Sequence, residues 1–137
     1  MVDNLDTVEF RTYVLEVGFR KGYKVYTEYP EQLAGKTRPI DVVFIKGDER
    51  HYIEIESGGE SGTSYAPEGR ERDVKLAAKG TKGFVLTKNE RGKRLHIRTK
   101  NSLTPQQNYK NVVVLTWDEY KKQANKLHYI ITSGTIY

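Results

Sequence analysis

The sequence contains no cysteine. That absence excludes a disulfide framework, a thiolate zinc site, an iron–sulfur cluster and a cysteine nucleophile. Histidine is scarce as well: the three residues, His51, His96 and His128, are too scattered for an imidazole-rich metal site. No run approaches the ~18 consecutive apolar residues of a membrane span, so no membrane partner is expected. The opening residues MVDNLDTVEF carry acids and lack an apolar core, so no signal peptide is expected there and the protein is expected in the cytoplasm. Gly at 12 and Pro at 4 of 137 do not suggest disorder. What is present, 36% apolar and 30% charged residues, suits a single domain over 1–137, large enough to bury its own core.

The net charge of +5 divides unevenly along the chain. Residues 1–69 hold 8 Lys/Arg against 13 Asp/Glu, and residues 70–137 hold 15 against 5. A basic half beside an acidic cluster suits a phosphate-bearing partner together with a metal site.

Asp6-Thr7-Val8-Glu9 reads as a capping box opening a helix to about Arg20. A strand is expected over Lys24–Tyr29, stopped by Pro30, then a polar loop over 31–38. Asp41–Ile45 and His51–Glu56 read as strands about a turn, and Ser57–Tyr65 as a Gly/Ser loop. Pro67–Lys79 reads as a helix with Pro near its first position and Gly80 past its end. Strands are expected over Gly83–Thr87, Leu95–Arg98 and Asn111–Leu115, with a turn at Asn89–Gly92. Thr116, with Glu119 three residues on, caps a helix to Lys126, and His128–Tyr137 reads as a last strand. The resulting order means an α/β fold: a mixed sheet flanked by helices around an α-β-β-β-α-β core.

The acids of the central hairpin carry the chemistry. Residues two apart in a strand share a face, so Glu54 and Glu56 project with Tyr52. A four-residue loop would set Asp41 beside Glu56, and a two-residue Gly47-Asp48 turn would set it beside Glu54. Either register gathers Asp41, Glu54 and Glu56. Two carboxylates ~4 Å apart repel by on the order of 1 kcal/mol in water and ~4 kcal/mol in a protein-like dielectric. Such a cluster calls for a cation, and an all-oxygen set favours Mg²⁺, Mn²⁺ or Ca²⁺.

Pro39-Ile40-Asp41, a turn, then Glu54-Ile55-Glu56 resembles the motif of the PD-(D/E)xK (restriction-endonuclease-like) nuclease superfamily. The similarity runs from about Leu5 to Lys126 in element order, and archaeal Holliday-junction resolvases are the small members most similar in length and layout. The resemblance implies a metal-dependent endonuclease hydrolysing DNA phosphodiester bonds, resolvase-like in its preference for branched structures. Asp41 and Glu54 would hold Mg²⁺ (or Mn²⁺) with the Ile55 carbonyl. Glu56 stands where the motif usually has lysine, as in some restriction enzymes, and would orient or deprotonate the attacking water. Lys75 is the candidate for a lysine migrated to the next helix, and Glu9 or Glu16 for an additional metal ligand from the leading helix.

Lys36, Arg38, Arg70 and Arg72 suit contacts to the DNA backbone. A homodimer is expected, because cutting two strands symmetrically takes two centres and this chain holds one. Its candidate interface is the apolar tail with Ile130, Ile131, Ile136 and Tyr137. Two other readings compete: a catalytically degenerate relative that binds nucleic acid without cleaving it, and an interaction domain with no metal.

Overall fold

The computed structural model describes residues 5–58, 66–103 and 109–133, the last eight of them by backbone alone. Among the described residues the elements run α1 (Leu5–Arg20), β1 (Lys24–Leu33), β2 (Lys36–Lys46), β3 (Glu49–Glu56), α2 (Pro67–Ala77), β4 (Lys82–Thr87), α3 (Glu90–Leu103), β5 (Val112–Thr116) and α4 (Trp117–Ser133). The strands lie side by side in chain order. The first three are antiparallel hairpins, and β3, β4 and β5 run parallel. Parallel neighbours need a crossover, and α2 and α3 supply the two required. The fold is therefore α/β, a five-stranded mixed sheet containing the expected α-β-β-β-α-β core.

Each face of the sheet has its own core. On one, Phe10, Val14 and Val17 of α1 and Trp117, Tyr120 and Ala124 of α4 pack on Val42, Phe44, Ile53, Leu86 and Leu115. Phe10 stacks on Trp117 with ring centroids 4.6 Å apart. On the other face, Leu76 of α2 packs on Ile40, Val43 and Tyr52, and Ala77 with Ile97 of α3 packs on Val85, Val112 and Val114. Covered on both sides, Val42, Val43 and Phe44 are all buried, which accounts for the unbroken apolar run in β2.

Some local signals act as read. Thr116 and Glu119 form a reciprocal capping box, the Glu119 amide donating to Thr116 Oγ1 at 3.1 Å and the Thr116 amide to Glu119 Oε1 at 2.9 Å. Pro67 opens α2. Other expectations are overturned. Asp6 is not a cap but lies inside α1, paired with Lys88 at 3.3 Å. Pro30 does not stop β1: it faces Pro39 across the ladder, and two opposed residues without N–H groups fit a pair that exchanges no hydrogen bonds. The supposed loop over 31–38 is a hairpin that turns at Ala34-Gly35, both with positive φ. An alanine in that conformation gives no turn signal in sequence.

Leu95–Arg98 is helical, inside α3, because Asn89 caps that helix by accepting the Gly92 amide at 3.0 Å. The tail is helix through Ser133 rather than strand: α4, once nucleated at its cap, runs on through residues 128–133 although Tyr129, Ile130, Ile131 and Thr132 are strand-favouring by local preference. Ile130 and Ile131 belong to α4, and Ile136 and Tyr137 lie outside the described residues, as does the Gly/Ser loop from Gly59 to Tyr65.

Close approach of α2 to the sheet depends on Gly83, the second residue of β4. A Cβ there would overlap the Ala77 carbonyl at the end of α2. Gly83→Ala is expected to destabilise the protein by about 1–3 kcal/mol, since neither backbone segment yields easily. Urea unfolding of the two proteins, compared by midpoint, checks this.

Candidate metal centre

The centre forms where β2 parts from β3. The turn between them is the two-residue one: Lys46 faces Glu49, and the ladder ends at Val42 opposite Ile53. Beyond it the pleat of β2 slips by one step. Val42 and Phe44 face the α1/α4 core, whereas Ile40 and Val43 both face α2. β1 slips at the facing position, where Glu28 has a φ of 49°, so the β1–β2 register is preserved. Asp41 stands at the slip. Its Oδ2 accepts the Ile55 amide at 2.7 Å, replacing the backbone partner that β3 loses there. In a strand, the amide and carbonyl of one residue point to the same side. The Ile55 carbonyl therefore faces the same opening, where the expected ligand role needs it.

Glu54 and Glu56 lie on the α2 face with Tyr52, as the strand period requires. A third acid arrives from α2. Asp73 shares the inward stripe of that helix with Leu76 and Ala77, three and four residues on. Glu54, Glu56 and Asp73 each offer an oxygen within 4.8 Å of the others. Glu54 and Asp73 are each 5% exposed, and Glu54 Oε1 is buried with no hydrogen-bond partner. Asp73 and its support were not legible beforehand: Asp73 Oδ2 lies 2.9 Å from Nε2 of His96, which is fully buried on α3.

Burial and mutual repulsion set the protonation. Burial, then the charges of Asp41, Asp73 and Glu56, hold Glu54 well above the ordinary carboxylate range. Burial, with Asp73 next to it, pushes Glu56 up to about 9. Burial raises Asp73 to about 7 and lowers His96, both in the direction of a neutral acid–imidazole pair. Burial and mutual repulsion thus favour the protonated forms of these acids when no cation is bound. An all-oxygen donor set with one orphaned, desolvated oxygen fits a hard divalent cation, the ion the motif implies.

A cleft of ≈440 Å³ opens onto the cluster, lined by Arg38, Glu54, Glu56, Glu68, Arg72 and Asp73 among others. A second, of ≈370 Å³, adjoins it through Arg38, Glu68 and Arg72 and carries Lys36 and Lys75. Lys75 is held by Glu71 at 2.7 Å and lines this second cleft, not the one that opens onto the acids. Arg70 is turned to α3, its Nε donating to Thr99 Oγ1 at 3.0 Å. The structure does not bring Glu9 or Glu16 to the cluster. Their helix covers the opposite face of the sheet. Glu9 lines a separate cleft with Trp117 and Lys88, and Glu16 pairs with Arg20 at 3.6 Å.

No family model matches this chain, and no curated protein matches it. The solved structure of AF1548, described as a protein of unknown function, aligns with a TM-score of 0.49 and 16% identity, over 80% of this chain and 56% of that one. This chain thus spans little more than half of that protein's length.

The raised carboxyls make stability fall with pH. A carboxyl whose folded pKa exceeds its unfolded one stabilises fully below the unfolded value, and the contribution is lost as pH rises through the folded value. For Glu56 the window runs from its ordinary 4.5 to about 9. Without divalent cations the melting temperature should drop by several degrees between pH 5 and pH 9. Glu56→Gln should flatten the slope. Thermal melts in chelator across that range check both.

Proposed function

We propose that the protein is a metal-dependent nuclease that hydrolyses DNA phosphodiester bonds. One observation carries this reading: Glu54 and Glu56 of β3 and Asp73 of α2 converge in a cleft also lined by Arg38 and Arg72, at the parting of two strands where Asp41 of β2 accepts the Ile55 amide. A bound Mg²⁺ or Mn²⁺ would lower the pKa of a water and neutralise charge on the phosphoryl oxygens.

The chain's own residues have separable tasks. Asp41, Glu54 and Asp73 would hold the ion, with the Ile55 carbonyl beside them. Asp41 is oriented by the Ile55 amide, and Glu54 is kept from water by burial. Glu56, less buried than Glu54 and open to the cleft, is the group placed to accept the water's proton. Its own proton must leave first, so metal binding and turnover both rise with pH. Arg38 and Arg72 would receive the phosphate, and Lys36 and Lys75 would continue the track into the second cleft. Symmetric cutting of two strands would take a homodimer.

Supercoiled plasmid and a synthetic four-way junction, each with Mg²⁺ or Mn²⁺, test the proposal. Cleavage by the wild type is expected. Asp41→Ala and Glu54→Ala should lose it by about a thousandfold, several kcal/mol of barrier. DNA binding should persist in both, because removing an acid also removes repulsion. Arg38→Ala and Arg72→Ala should each weaken binding and lower its salt slope by about one. The position of Glu56, where the motif usually has lysine, favours a second reading, a nucleic-acid binder without chemistry. An inactive wild type that binds DNA and gains cleavage on Glu56→Lys would establish that reading instead.

A further inference from the structure

Asp73 reaches the acidic cluster from α2, yet one of its oxygens is engaged elsewhere. Oδ2 faces His96 Nε2 at 2.9 Å, and the same ring is anchored through Nδ1, which donates to the Gly92 carbonyl at 2.8 Å. Gly92 is one helical turn before His96, and its amide is held by the Asn89 cap. The support is therefore continuous: the cap fixes Gly92, Gly92 fixes the ring, and the ring fixes Asp73. The ring is fully buried, so water cannot take its place. On the far side of the cluster, Asp41 is constrained alike, its Oδ2 given to the Ile55 amide.

We infer that His96 is a positioning residue that makes Asp73 a one-oxygen ligand, and thereby sets a preference for a small octahedral cation over Ca²⁺. The inference rests on reading the cluster as a metal centre. Mg²⁺ and Mn²⁺ take six oxygens in octahedral array, one from each group. Ca²⁺ takes six to eight, commonly with carboxylates giving both oxygens. Asp41 Oδ2 accepts the Ile55 amide, and Asp73 Oδ2 holds one proton in common with His96 Nε2, a proton that rests on the ring when Asp73 ligates a cation; each engaged oxygen fixes its carboxylate and disfavours the two-oxygen mode that Ca²⁺ uses. Hydrogen bonds from such outer partners typically change metal affinity 10–100-fold.

Calorimetric titration of the full chain with Mn²⁺ alone and with Ca²⁺ alone tests this in the wild type, His96→Asn and His96→Gln. Asparagine keeps the Gly92 contact but falls short of Asp73, whereas glutamine reaches it. The wild type should prefer Mn²⁺. His96→Asn should weaken Mn²⁺ by about 10–100-fold while Ca²⁺ changes far less, and His96→Gln should recover most of the preference. Equal weakening of both ions, or no weakening, would overturn the role given to His96 and leave the metal centre standing. A wild type that binds neither ion, or binding that survives Asp41→Ala with Glu54→Ala, would overturn the metal centre itself. A further measurement needs no variant. In Mg²⁺-minus-apo infrared spectra of protein labelled at aspartate carboxyls, a wide split of the carboxylate stretches means one-oxygen ligation and supports the inference. A narrow split means two-oxygen ligation and overturns it.

Discussion

Glu54 and Asp73 are buried beside Glu56 and Asp41, and acids so close and so desolvated resist being ionised together; the structure around Asp41 is organised by that constraint. At a protein-like dielectric each close pair of charges costs on the order of 4 kcal/mol, comparable with a large part of a small domain's net stability. In the absence of a cation, burial and the neighbouring charges favour the protonated form of Glu54 beside Asp41 and of Glu56 beside Asp73. Both pairs are places where a divalent ion would do the same work with more charge.

The backbone prepares this arrangement before any side chain is considered. Where β2 leaves β3, an amide and a carbonyl of Ile55 lose their ladder partner, and a polar group must replace it. Asp41 satisfies the amide. The slip in pleat at Asp41 and Glu28 keeps Ile40 packed against α2 despite the change of phase. Local irregularity thus places an acid and a backbone carbonyl at one opening, with the regular strand β3 supplying Glu54 and Glu56 at fixed spacing.

The two faces of the sheet divide the labour. On the α1/α4 side, aromatic stacking of Phe10 on Trp117 and edge contacts of Phe10 and Tyr13 with Tyr120 build a dry core. On the α2/α3 side the core is interrupted by Glu54, Asp73 and His96, all buried and polar. Each costs stability that an apolar residue would not, and each carries a hydrogen bond or charge interaction with another member of the cluster.

The α-β-β-β-α-β core, the mixed sheet, the Thr116 capping box and the shared face of Glu54 and Glu56 were all readable from the chain alone. They follow from periods of two and 3.6 residues and from contacts within four residues. The proximity of Asp41 to the hairpin acids was readable in either register, because both turns bring the same three residues together. Asp73 and His96 were not readable. A helical pattern tells which residues face inward but not which strand they meet, and both lie on helices whose docking is decided by close backbone approaches such as that at Gly83. The same limit misplaced Glu9 and Glu16, whose helix the sequence could orient but not assign to a face. Local chemistry therefore determined the central strands and the three acids on them, Asp41, Glu54 and Glu56, and tertiary packing alone decided which helix completed the cluster.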